Sequence, residues 1–64
     1  MKYVELLKLL KEGKEICVTQ WGGYHYRIGY ESISYKVMEK LRKEHRLITM
    51  RDKDSPLISY IKLA

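Results

Sequence analysis

Ser32 to Arg46, SISYKVMEKLRKEHR, is the stretch on which the reading of the fold turns. At 100° per residue, Ile33, Val37, Met38, Leu41, His45 and Ile48 gather on one arc, and Tyr35, Lys36, Glu39, Lys40, Arg42, Lys43 and Arg46 on the opposite one. The pattern predicts an amphipathic helix with its apolar stripe against a core. Its outer face carries five cations and one carboxylate. A solvated helix face ordinarily mixes the two signs, so the imbalance is the main functional signal in the chain and points toward a polyanion. The competing reading is a cationic face that only keeps the protein in solution.

On the N-terminal side, residues 2–12 place Tyr3, Leu6, Leu7 and Leu10 at i, i+3, i+4 and i+7, and Gly13 stands where a helix C-cap belongs. Lys2, Lys8 and Lys11 alternate there with Glu5 and Glu12, so this helix is assigned to the core or to a dimer contact. From Glu15 the period changes to two. Residues 16–21 favour a strand, Gly22-Gly23 suits a two-residue hairpin turn, and residues 24–30 form the return strand. That turn pairs Trp21 with Tyr24, Thr19 with Tyr26 and Cys17 with Ile28, which places all six on one face and Ile16, Val18, Gln20, His25 and Arg27 on the other. Trp21, Tyr24 and Tyr26 then form an aromatic cluster beside Arg27. Such a cluster either stacks bases, grips a protein partner, or covers the helices as core.

After the central helix, capped by Ser32 or Ser34, residues 47–51 read as a third strand, Asp52 to Pro56 as a polar turn, and residues 57–63 as a fourth strand. The order is α-β-β-α-β-β in a single α+β domain spanning 1–64, with antiparallel hairpins packed on two helices.

The basic helix running through KLRKEHRLI into a hairpin with a charged tip resembles the recognition-helix-plus-wing half of winged-helix DNA-binding proteins, over roughly residues 33–63. The resemblance implies a helix in the major groove of duplex DNA and a wing on the backbone or minor groove. Its contacts carry over to Lys36, Lys40, Arg42 and Lys43 on the helix and to Arg51 and Lys53 on the wing; Arg46, which helical spacing sets in a row with Arg42 and Tyr35, is the seventh expected contact. In place of the helix that precedes the recognition helix in that group, this chain has QWGGYHYRIGY, with adjacent glycines and no helical period.

Composition narrows the remaining classes. Thirteen Lys plus Arg against eight Asp plus Glu give a net charge of +5, compatible with phosphate backbones and unlike an acidic nucleic-acid mimic. The single Cys17 leaves no internal disulfide and suits a reducing cytoplasm, where it packs as a small hydrophobe. No signal-peptide pattern or membrane-length apolar run is expected to direct the chain elsewhere. His25, His45 and Cys17 lack metal-ligand spacing, and no glycine-rich phosphate loop or nucleophile-base arrangement is present, so no cofactor, metal or catalytic role is expected. At 64 residues the chain buries only about 60% of its unfolded surface, which makes a homodimer a natural route to more burial. Three readings remain: a DNA-binding regulator or accessory protein; a protein-interaction module of the kind phages and plasmids use to inhibit a host protein; and single-stranded DNA or RNA binding on the aromatic hairpin, with the basic helix tracking the backbone.

Overall fold

Strand-period and helix-period segments sort onto two layers. The computed structural model describes residues 1–64, in the order α1 (Tyr3–Lys11), β1 (Ile16–Gln20), β2 (Tyr24–Ile28), β3 (Glu31–Ile33), α2 (Tyr35–Glu44), β4 (Leu47–Arg51) and β5 (Ile58–Leu63). The strands form one antiparallel sheet, β3-β2-β1-β5-β4. Both helices pack on the same face of it. The α+β architecture follows the expected order with one short strand added, and two helices on an antiparallel sheet ending in a hairpin are compatible with a winged-helix-like architecture.

The core is a single cluster. Leu6 and Leu10 come from α1, Met38 and Leu41 from α2, and Ile16, Val18, Tyr26, Ile28, Ile33 and Ile61 from the sheet. α1 closes as the sequence predicts: Gly13 takes a positive φ of 96°, its N–H donates to the Leu10 carbonyl, and the Lys14 N–H donates to that of Leu9, both at 3.1 Å. This pair of bonds is a Schellman cap. The helices are also clasped at their outer ends, where the Tyr3 hydroxyl donates to Glu44 Oε1 at 3.0 Å and Lys40 Nζ lies 4.7 Å from the Tyr3 ring centre. Partial burial, followed by the bond to Glu44 and the Glu44 charge, pushes the Tyr3 phenol above its ordinary pKa.

The β1–β2 hairpin corrects the expected register. Gln20, not Trp21, stands opposite Tyr24, and Val18 stands opposite Tyr26. The loop is therefore Trp21-Gly22-Gly23, three residues long. A slip of one residue exchanges the faces of a strand relative to its partner, so β1 presents Ile16 and Val18 to the helices beside Tyr26 and Ile28, and turns Cys17 and Thr19 away. The core decides the matter. Ile16 and Val18 are more apolar than Cys17 and Thr19, and burying them outweighs the preference for a two-residue turn. The longer loop relies on Gly23 at φ 131°, a conformation closed to residues with a Cβ. Gly23→Ala should cost about 1–3 kcal/mol and lower the thermal midpoint accordingly, read by circular dichroism.

The second correction lies at the start of the central helix. Glu31–Ile33 is not its first turn but a strand that pairs with β2, placing Ile33 opposite Tyr26, and the return strand ends at Ile28. Gly29, at φ 59°, and the exposed Tyr30 turn the chain between them. Ser34 is the N-cap, its Oγ accepting from the Val37 N–H at 3.3 Å. The helix stops at Glu44, His45 is already extended, and Ile48 belongs to β4 on the face away from the helices. Leu57 likewise precedes the last strand.

No helix covers that reverse face, which carries Cys17, Thr19, Arg27, Tyr60 and Met50. The Tyr60 hydroxyl donates to Asp52 Oδ2 at 3.3 Å, and the nearby Asp52 charge is the main reason its phenol titrates above the ordinary value. No helix is long and apolar enough to cross a membrane.

Candidate nucleic-acid interface

Strand register brings both hairpin tips to one end of the sheet: Thr19 faces Ile58, and the Gln20 N–H donates to the Leu57 carbonyl at 3.0 Å. α2 begins at that same end, beside Tyr24, and ends where the Ala64 N–H donates to the Arg46 carbonyl at 3.0 Å. The cations of α2 and of the link that follows it fall into two sets. Lys36, Lys40 and Lys43 form the crest that faces away from the sheet, and Lys40 leans onto Tyr3. Arg42 lies on the flank that looks down onto the sheet, whereas Arg46, expected on the helix, stands past its end in the link to β4, because the helix stops at Glu44.

That flank borders a groove of about 390 Å³ between α2 and the last hairpin, lined by Arg42, His45, Arg46, Leu47, Thr49 and Ile61. Thr49 and Arg51 are helix-side residues of β4 that remain exposed. Arg51 shares a cross-strand row with Ser59, Val18 and Tyr26, about 14 Å from Tyr26 at the usual spacing of ~4.8 Å per strand. Lys53 sits on the exposed hairpin tip, past the end of β4. The seven cations expected to contact nucleic acid thus divide into three on the crest, two in the groove, Arg51 on β4 and Lys53 at the tip. The structure unites Arg42 and Arg46 in the groove, with Arg51 on the same face of the sheet.

At the other end of the α2 flank lies a larger cleft, about 650 Å³, at the β1–β2 tip. It exists because β3 is short. β3 pairs with residues 26–28 of β2 and leaves Tyr24 and His25 with an open edge. Trp21, Tyr24 and Tyr35 line it and are 59%, 53% and 60% exposed. Tyr26 differs: it is a core residue, so of the expected aromatic trio only Trp21 and Tyr24 are open, and Tyr35 completes the set. Tyr35 is held by its hydroxyl, which donates to the Tyr24 carbonyl at 2.6 Å, and by edge-on packing against Tyr26, with ring centres 5.7 Å apart and planes at 86°. Arg27 and His25, from the reverse face of β2, line the cleft's outer side, with His25 Nε2 3.2 Å from the Trp21 carbonyl.

One side chain joins the two cavities. Arg42 lines the groove and donates to the Tyr26 hydroxyl at 3.1 Å, its guanidinium carbon 5.5 Å from the ring centre, while Tyr26 lines the cleft. Sequence periodicity already set Tyr35, Arg42 and Arg46 along one side of the helix. It carried no sign that Tyr35 meets Tyr24, because that meeting depends on where β3 stops. His45 and Thr49 were likewise invisible as groove residues without the docking of α2 on β4–β5. No group of three His, Cys, Asp or Glu side chains converges as metal ligands would.

Comparison with protein-family models, with curated proteins and with solved structures finds no match to this chain.

Proposed function

We propose that this protein is a nucleic-acid-binding protein without enzymatic activity, acting in the cytoplasm as a DNA-binding regulator or accessory factor. The observation that supports this reading best is the set of cations on α2 and just past its end, where Arg42 connects the aromatic cleft to the groove holding Arg46. The crest lysines 36 and 43 add charge above it, and Arg51 and Lys53 add charge on the hairpin beyond. Flexible cations along a line suit successive phosphates, and arginine forks suit their oxygens. Duplex DNA is the substrate to which the winged-helix likeness points, with α2 toward the major groove and the β4–β5 hairpin on the backbone.

A salt series tests the reading. Binding of the purified, nuclease-treated protein to a labelled duplex should weaken with salt at a slope of about −4 to −5 in log K against log salt, as for about five neutralised phosphates. A flat salt response, or no binding at 50 mM salt, would remove it.

The exposure of Trp21 and Tyr24 favours a second reading, a protein-interaction module that anchors on the hairpin tip like a small phage- or plasmid-type inhibitor. Tyr26 has no part in that anchor because it is buried. The module reading requires a single protein to be recovered from lysate by the intact chain and lost on Trp21→Ala.

A further inference from the structure

We propose that the cleft at the β1–β2 tip seats one unpaired nucleobase of a single-stranded nucleic acid, stacked on the Trp21, Tyr24 and Tyr35 rings. The inference rests on the nucleic-acid reading of the α2 flank and names the substrate form that this end of the surface selects. Four features carry it.

The cleft's volume of about 650 Å³ falls in the range of small-ligand sites, and three aromatic side chains that line it, Trp21, Tyr24 and Tyr35, are each more than half exposed. Rings at a binding surface serve a base well because every base has a π-face to offer. Second, Tyr35 is fixed before anything binds. Its hydroxyl bond to Tyr24 and its edge contact with Tyr26 have already restricted the ring, so a base stacking on it orders little further.

Third, the unfinished edge supplies hydrogen bonding. In an antiparallel strand a residue's N–H and C=O point to the same side, and the Tyr24 carbonyl is turned outward to Tyr35. The Tyr24 N–H therefore faces the same side, past the end of β3, as a donor for the edge of a base. Fourth, no carboxylate lines the cleft, Arg27 does, and Arg42 stands directly behind Tyr26 at the head of the cationic groove. A base in the cleft thus has a path for its own backbone phosphates along α2. That continuity distinguishes a nucleotide strand from an apolar peptide, which gains nothing from the cations. Bases within a duplex are already stacked and paired, and they cannot enter without being unpaired first.

The test uses the whole 64-residue protein, a labelled twelve-nucleotide oligothymidylate, and a labelled twelve-base-pair duplex. Oligothymidylate should quench Trp21 emission, whereas the duplex should not. Tyr24→Ala and Tyr35→Ala should each weaken oligothymidylate binding about tenfold, with an unchanged salt slope and less than a twofold effect on the duplex. Tyr35→Phe, which keeps the ring, should retain most of the affinity, and thermal melts confirm that each variant is folded. Oligothymidylate binding without quenching, or insensitive to both alanine variants, would overturn the cleft proposal and leave the basic flank standing. Equal losses on both probes in folded variants would overturn it too, as would capture of a protein through Trp21 with no competition by oligothymidylate. Absence of binding to either probe would overturn the cleft and the nucleic-acid reading together.

Discussion

Lys43→Glu combined with Arg46→Glu should weaken duplex binding on the order of a hundredfold at low salt and make the salt slope shallower by about two. Both side chains are exposed, one on the crest of α2 and the other at the mouth of the groove. Each reversal removes one phosphate contact and adds one repulsion. Lys40 and Arg42 are poorer choices for the same experiment, because Lys40 rests on Tyr3 and Arg42 is bonded to Tyr26, so changing either also disturbs packing. The double variant should keep its circular dichroism spectrum and melt within a few degrees of the parent. Full duplex affinity in a folded double variant would mean that the cations at the end of α2 and just past it are a solvated surface and nothing more.

Leu41→Ala should leave much of the chain unfolded at 37 °C. Leu41 is fully buried, with relative exposure of 0%, at the centre of the α2 stripe. Truncating such a leucine costs about 2–5 kcal/mol through lost transfer energy and the cavity left behind. A core of this size rarely supplies more than about 3–5 kcal/mol of net stability, so the loss is comparable to the whole. Urea denaturation followed by far-UV circular dichroism measures it. Val4→Ala on the outer side of α1, where the side chain is 76% exposed, is the matched control and should move stability by less than about 0.5 kcal/mol. A Leu41→Ala midpoint close to the parent's would mean that α2 is not held by this stripe.

The sequence was most legible where one period ran uninterrupted. Met38 and Leu41 sit in the core, and β4 spans the expected residues, because a stripe at 3.6 or an alternation at two has only one face to bury. It was least legible where two local rules competed. Ser32 and Ser34 are both competent caps, and only the ladder from Glu31–Ile33 to β2 shows that the helix starts after the second. Gly22-Gly23 satisfies a two-residue turn, yet the buried pairing of Val18 beside Tyr26 overrides it. The candidate site divides along the same line. Arg42 was readable from helical spacing, but Arg46 reaches the groove from beyond the helix end, and the aromatic cleft was not readable, because it joins Tyr24 to Tyr35 through the length of an intervening strand.

The strand order has a kinetic consequence. β1 lies in the middle of the sheet, and its second neighbour, β5, is the last element of the chain: Cys17 pairs with Tyr60, 43 residues away. α1, the β1–β2–β3 meander and α2 are made of near neighbours and can assemble early. The β1–β5 seam is the most distant strand pairing in the sheet, and folding rates fall as such distant pairings come to dominate. During synthesis β1 must wait with one edge open until Ile58–Leu63 have emerged, a template for pairing with another chain. Slow addition of the final strand would thus set both the pace of folding and the moment of greatest exposure to aggregation.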